Sequence, residues 1–172
     1  MANFSDSKSF KIHDNYYTKK KVLQLLTDFI DKNKIIYEFC LLNSNEQSKK
    51  YLEELGYKVI GNKNIDFLEY NKEEEDADIL VSNIPFSTDI KIKILKKLVE
   101  LDKPFIIIIN SLSLFSKYFK EIFKDKNIYF IFPSFKIHYD KYKNGELQKA
   151  ENKTSFYSIF VTYKILNKNV WI

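Results

Sequence analysis

The sequence predicts an α/β protein, a doubly wound and mostly parallel sheet that ends in an antiparallel hairpin. Three observations predict it. Strand-like and helix-like segments alternate with short connections. The run from Phe105 to Ile109 has no polar interruption, as in a parallel strand covered on both faces. A chain of 172 residues, 45% hydrophobic and 30% charged, makes one globular domain (1–172) large enough to bury a core.

The elements follow in order. Thr18 to Ile30 reads as a helix capped by Thr18, with Val22, Leu25, Leu26 and Phe29 at helical spacing. The apolar run Ile35 to Leu42 is a strand, followed by the polar loop Asn43-Ser44-Asn45. A second helix spans Glu46 to Leu55 and stops at Gly56, a residue suited to a helix C-terminus. Tyr57 to Ile60 is a short strand, and Asn62 to Asp76 is polar, its acidic run Glu73 to Asp76 reading as a solvated loop. Little room remains before the next strand, Ile79 to Val81, so the sheet is expected to be one strand short. Thr88 to Leu101 is a helix with Ile92, Leu95, Leu98 and Val99 on its apolar side and Lys on the other. After Phe105 to Ile109 come a helix from Ser113 to Phe123 and two long strands, Ile128 to Phe132 and Phe156 to Ile165. Between those strands, Lys143-Asn144-Gly145-Glu146 is a turn signal.

Composition narrows the function. All 28 basic residues are Lys, against 23 acidic ones, for a net charge of +5. Phosphate recognition must therefore use ammonium point charges rather than Arg forks. The charge permits nucleic-acid binding without demanding it. The single Cys40 forms no internal disulfide and is expected to be a buried thiol, and no Cys/His cluster has zinc-ligand spacing. The polar N-terminal stretch, and the lack of any apolar run of membrane-spanning length, lead us to expect an intracellular, soluble protein with no membrane partner.

The most informative motif is Asn83-Ile84-Pro85-Phe86, at the end of the apolar run Ile79 to Val81 and separated from it by Ser82. A buried strand there delivers an amide, a rigid Pro and an aromatic ring to its carboxyl end. An Asn oxygen, or a carbonyl of Ile84 or Pro85, can accept a hydrogen bond from the exocyclic amino group of a flat base, and Phe86 can stack on its ring. The plain alternative is a turn that closes a strand.

On these residues the chain resembles the Rossmann-like, class I S-adenosylmethionine-dependent methyltransferases, and more narrowly the DNA N6-adenine methyltransferase group of viruses and phages. That group carries Asn/Asp-Pro-Pro-Tyr/Phe after its fourth strand; Ile84 stands here for the first Pro, as in the Asn-Ile/Leu-Pro-aromatic form of ribosomal RNA adenine methyltransferases. The resemblance covers most of the chain. It implies catalytic roles for Asn83, Pro85 and Phe86. It places Tyr17 and Thr18 near the methionine end of S-adenosylmethionine, Glu38 in the first motif, and Asp66 and Phe67 against the cofactor's adenine. The departure lies in the first motif. Family members have a Gly-rich turn, whereas this chain reads Glu38-Phe39-Cys40-Leu41-Leu42-Asn43-Ser44-Asn45. Asn43 and Asn45 tolerate left-handed backbone and could form a substitute turn. Lys19 also replaces the Pro that the family often has after Thr.

Two functions stand beside each other. One is an N6-adenine methyltransferase acting on DNA or RNA, with Lys136, His138, Lys141 and Lys143, among neighbouring rings, contacting nucleic acid. An exposed hairpin with solvating Lys explains that stretch equally well. The other is a catalytically inactive methyltransferase-like protein, a binding or structural subunit beside a protein partner, within the host cytoplasm or a viral assembly. A nucleotide-binding enzyme of another class ranks lower, because no phosphate loop or acid–base pair is present. With no separate target-recognition domain, little sequence specificity is expected unless a partner supplies it.

Overall fold

The computed structural model describes residues 16–40, 46–64, 66–69, 73–140, 142–143, 146–147 and 156–172, with the backbone alone for 73, 142–143 and 146–147. Nine strands form within these segments: β1 (Ile35–Tyr37), β2 (Lys58–Ile60), β3 (Ile79–Asn83), β4 (Phe105–Asn110), β5 (Ile128–Phe132), β6 (Tyr142–Lys143), β7 (Glu146–Leu147), β8 (Ser158–Tyr163) and β9 (Val170–Trp171). The helices are α1 (Lys20–Gln24), α2 (Gln47–Glu54), α3 (Glu73–Asp76), α4 (Thr88–Leu101) and α5 (Lys117–Phe123).

Seven strands make one sheet in the order β2-β1-β3-β4-β8-β5-β9, and β6 and β7 pair as a separate hairpin. β2, β1, β3 and β4 are mutually parallel; β8 runs antiparallel between β4 and β5. The chain is thus a Rossmann-like doubly wound sheet with an antiparallel strand inserted near its C-terminal end. β2 is an edge, and the described part of the stretch between Ile60 and Ile79 adds no strand beyond it. The opposite edge gains β9, parallel to β5, which the sequence pattern did not announce. Two residues are too few for a period to register.

Alternation along β4 shows how the core is divided. Phe105, Ile107 and Ile109 face the layer of α4 and α5, whereas Ile106 and Ile108 face the layer of α1 and α2. All five are at most 2% exposed, and each side chain gains about 2 kcal/mol by leaving water.

Several local expectations are corrected. The first helix is shorter than Thr18 to Ile30: α1 tightens into a 3₁₀ turn over Leu25–Asp28. Its N-cap is Lys19, without a side-chain bond, so Thr18 is not the cap. The segment Ser113 to Phe123 is split, because Asn110 caps a 3₁₀ turn (Ser111–Phe115) and Ser116, in extended backbone, caps α5. In α4 two Lys leave the polar side. Lys91 is 4% exposed and donates to Ser113 Oγ (3.1 Å), and Lys97 reaches across to Glu74. The acidic run is therefore not a solvated loop: it forms α3, and Glu74 is 3% exposed. Cys40 is half-buried rather than buried.

Beyond α2, Gly56 takes φ +90°, and a Cβ there would meet nothing within 4 Å. Gly56→Ala is therefore expected to cost about 1 kcal/mol in denaturant unfolding, from backbone strain alone. A loss several times larger would mean that the turn packs more tightly than this. α4 ends on Asp102, also left-handed (φ 50°). The Lys164 ammonium (2.7 Å), the Tyr163 hydroxyl (2.6 Å) and Lys126 (2.9 Å) hold its carboxyl well below the usual range and lock this edge of the sheet.

Candidate active site at the carboxyl edge of the sheet

β1 leads through α2 to β2 on one side, and β3 leads through α4 to β4 on the other. α2 and α4 lie on opposite faces, with Leu52 in one core cluster and Ile94, Leu95 and Leu98 in the other. The winding therefore reverses between β1 and β3, and sheets of this kind take their ligands in the crevice at the carboxyl ends of such strands.

Glu38 follows β1 into that crevice and is 2% exposed. The Ser82 hydroxyl donates to its carboxylate, and the Cys40 N–H points at both Glu38 Oε1 (3.3 Å) and Ser82 Oγ (3.2 Å). Burial pushes the Glu38 carboxyl up to about 7, while bonds from Ser82, Ser48 and the Cys40 amide pull it down. Ser82 and Ser48 were missed in the sequence. A Ser straight after the apolar run Ile79 to Val81, still within the strand, was the available signal, since a buried strand keeps a hydroxyl only where it finds a partner.

Asn83 ends β3. Its Nδ2 donates to the Tyr16 carbonyl (3.1 Å), and its Oδ1 is buried with no hydrogen-bond partner. Ile84 continues the ladder to Ile108 (3.3 Å) and buries its side chain, so the residue replacing Pro in the motif is a core residue. Half-buried Pro85 follows, and then Phe86, edge-on to Tyr16 (5.4 Å), Tyr139 (5.9 Å) and Phe156 (4.7 Å).

Tyr16 arrives because Tyr17 exchanges both backbone hydrogen bonds with Asp140 (2.9 Å each), reinforced by the Lys19–Asp140 ion pair at 3.1 Å. The same pairing carries Thr18, 4% exposed, one residue along towards Tyr139. Burial pushes the Tyr139 phenol up, the Ser158 hydroxyl opposing. Among the described residues Thr18 Oγ1 and Asn83 Oδ1 are buried without a hydrogen-bond partner, and Tyr139 OH and Ser158 Oγ have none beyond each other. They belong to one neighbourhood, since Tyr16 touches both Asn83 and Tyr139, and Ser158 faces Tyr139.

The remaining predicted residues are placed as follows. Phe67 is 3% exposed, packed on Phe39 (4.1 Å) beside Glu38 and covered by Lys97, so its ring belongs to the core. Asp66 Oδ1 accepts from the Leu68 amide (2.9 Å), and burial raises its carboxyl's pKa. Lys136 and His138 alternate with buried Ile137 and Tyr139 and so project away from the ring cluster. Lys136 Nζ lies 5.1 Å from the Tyr157 ring centroid. Asn43 and Lys141 lie outside the described residues, and Lys143 is described only as backbone of the β6–β7 hairpin. The left-handed residue at the entrance to α2 is Glu46 (φ 56°), a position the sequence did not single out.

No family model matches the chain, and no curated protein matches it. Three solved structures are similar. A SAM-dependent O-methyltransferase from Thermotoga maritima matches with a TM-score of 0.45 and 12% identity, over 84% of this chain. This chain spans 64% of the length of that protein. A tRNA m1A methyltransferase from Aquifex aeolicus matches with a TM-score of 0.45 and 12% identity, over 86% of this chain and 69% of its own. A candidate RNA methyltransferase from Pyrococcus horikoshii matches with a TM-score of 0.47 and 13% identity, over 96% of this chain and 93% of its own. The fold itself stands on the strand order and register. No helix among the described residues is long and apolar enough to cross a membrane.

Proposed function

We propose that this chain binds S-adenosylmethionine and methylates the N6 amino group of adenine in DNA or RNA. The observation that carries the reading is Asn83 Oδ1, a buried acceptor without a partner at the carboxyl end of β3, three residues before Phe86. An amide oxygen there accepts a hydrogen bond from an exocyclic amino group and holds its nitrogen in one orientation. Phe86 offers its ring to the base once Tyr16 is displaced.

The polar groups around the crevice suit the cofactor: the enclosed Glu38 carboxylate favours a cation, and Thr18 Oγ1 is an unused donor and acceptor. When bound, S-adenosylmethionine supplies an electrophilic methyl group. Tyr17, Thr18, Glu38 and Asp66 are the described residues that would hold it, with Asn43 in the turn before α2. Phe67 would back the site from the core rather than stack on the cofactor. Lys136, His138, Lys141 and Lys143 would contact phosphates.

Calorimetric titration with S-adenosylmethionine and S-adenosylhomocysteine tests this. Micromolar binding, about −8 kcal/mol, is expected, tightening as pH rises through about 7 because a cationic ligand favours ionised Glu38. Asn83→Ala is expected to slow methyl transfer about tenfold to a hundredfold while leaving the fold intact. A product methylated on a ring nitrogen instead of N6 would remove Asn83 from the role given to it. One observation favours a second reading, a binding subunit without methyl transfer: Phe86 is enclosed by three rings. No binding at millimolar cofactor would decide for that subunit.

A further inference from the structure

Five large apolar side chains stand exposed among the described residues: Leu112 (68%), Phe115 (78%), Phe135 (43%), Tyr157 (64%) and Trp171 (75%). The topology brings all five to one edge. Leu112 and Phe115 follow the carboxyl end of β4, Phe135 follows that of β5, and Trp171 ends β9, which is parallel to β5. Tyr157 precedes β8, whose start lies against the end of β4, and its carbonyl accepts from the Ser111 amide (2.9 Å). This is the edge on which β3 ends in Asn83.

Two of the rings are already fixed on one face. Trp171 stacks on Phe132, with centroids 4.7 Å apart and planes 28° apart, so its other face is left to solvent. Tyr157 carries the Lys136 ammonium at 5.1 Å, and Lys136 has no carboxylate partner among the described residues. Ser111, Ser116, Ser134 and Lys136 separate the apolar groups, so the edge is a row of discrete faces rather than a continuous greasy patch.

We propose that this edge is a stacking platform for single-stranded nucleic acid. From β4 to β9 there are three strand spacings, about 14 Å, enough for a short run of unstacked nucleotides. Open ring faces bind bases without regard to sequence, and the Lys136 ammonium takes a phosphate. A duplex keeps its base faces stacked inside and offers such rings nothing to pair with. The platform extends the nucleic-acid reading of the neighbouring site, but its binding needs neither cofactor nor methyl transfer.

The test is fluorescence anisotropy of the full chain with an unstructured labelled 15-nucleotide DNA or RNA strand, and with the same strand in duplex form, cofactor omitted. The single strand is expected to bind at least tenfold tighter than the duplex. Trp171→Ala, Tyr157→Ala and Phe115→Ala, each checked for an unchanged thermal midpoint, are each expected to weaken it about fivefold to a hundredfold. Lys136→Ala is expected to shallow the salt dependence by a little under one unit of slope. Equal duplex affinity, or ring variants that bind as the parent does, would overturn the proposal. So would a concentration-dependent dimer that the same substitutions break, which would make the edge a protein interface. If the strand binds through the rings while the cofactor does not bind, the catalytic reading falls and the platform stands.

Discussion

Lys97→Ala is expected to destabilise the protein by about 3–5 kcal/mol, the range for removing one partner of a buried ion pair. The Lys97 ammonium contacts the Glu74 carboxylate, and the two side chains are only 14% and 4% exposed. It also donates to the carbonyls of Phe67 and Glu69, the latter at 2.8 Å, and lies 4.7 Å from the Phe67 centroid. One α4 side chain thus fastens the described part of the stretch between β2 and β3. Without it the enclosed Glu74 carboxylate loses this ammonium, and the melting temperature should fall by about 10 °C for a chain of this size. Lys97→Met keeps most of the aliphatic stem and should lose nearly as much. Adding Glu74→Gln to Lys97→Met should then recover part of the loss, because no charge is left to desolvate. A fall below 1 kcal/mol in Lys97→Met would show that the pair is solvated.

The second large effect has the opposite sign. Glu38→Gln is expected to stabilise the protein at pH 8 by roughly 3 kcal/mol. In the folded chain Glu38 keeps its proton up to about pH 7, whereas the ordinary value for a free carboxyl is 4.5. Between those values the folded state binds more protons than the unfolded one. The contribution is therefore whole below pH 4.5 and is lost as pH rises through about 7. Gln has no such proton and keeps an oxygen for the Ser82 hydroxyl, so the variant should lack this decline. Urea unfolding of both proteins from pH 4 to pH 8 measures it, and parallel curves would contradict the burial of the carboxyl.

Local patterns were legible where the deciding interactions are local. Thr88–Leu101 and Ile128–Phe132 have the bounds that their periodicity predicts, and the pair Lys143↔Glu146 closes the hairpin that Asn144-Gly145 signals. At the candidate site, the motif gave Asn83 and Phe86 as neighbours on a strand end. Nothing in it gave Tyr16, Tyr139 and Phe156, which come from three separate segments and surround that ring. The Ser82–Glu38 bond spans 44 positions and the Lys97–Glu74 pair 23, so no window of sequence contains either in its spatial setting.

The sequence by itself determined the α/β class, the order of its main helices and strands, and the position of the Asn-x-Pro-Phe motif. Each follows from period, turn chemistry or spacing along a few residues. Only the tertiary structure decided that β8 lies between β4 and β5, that Glu38 and Glu74 are enclosed, and that five apolar side chains share one edge. Burial and charge state depend on what covers a group from other parts of the chain. That covering is fixed only when distant strands choose their neighbours.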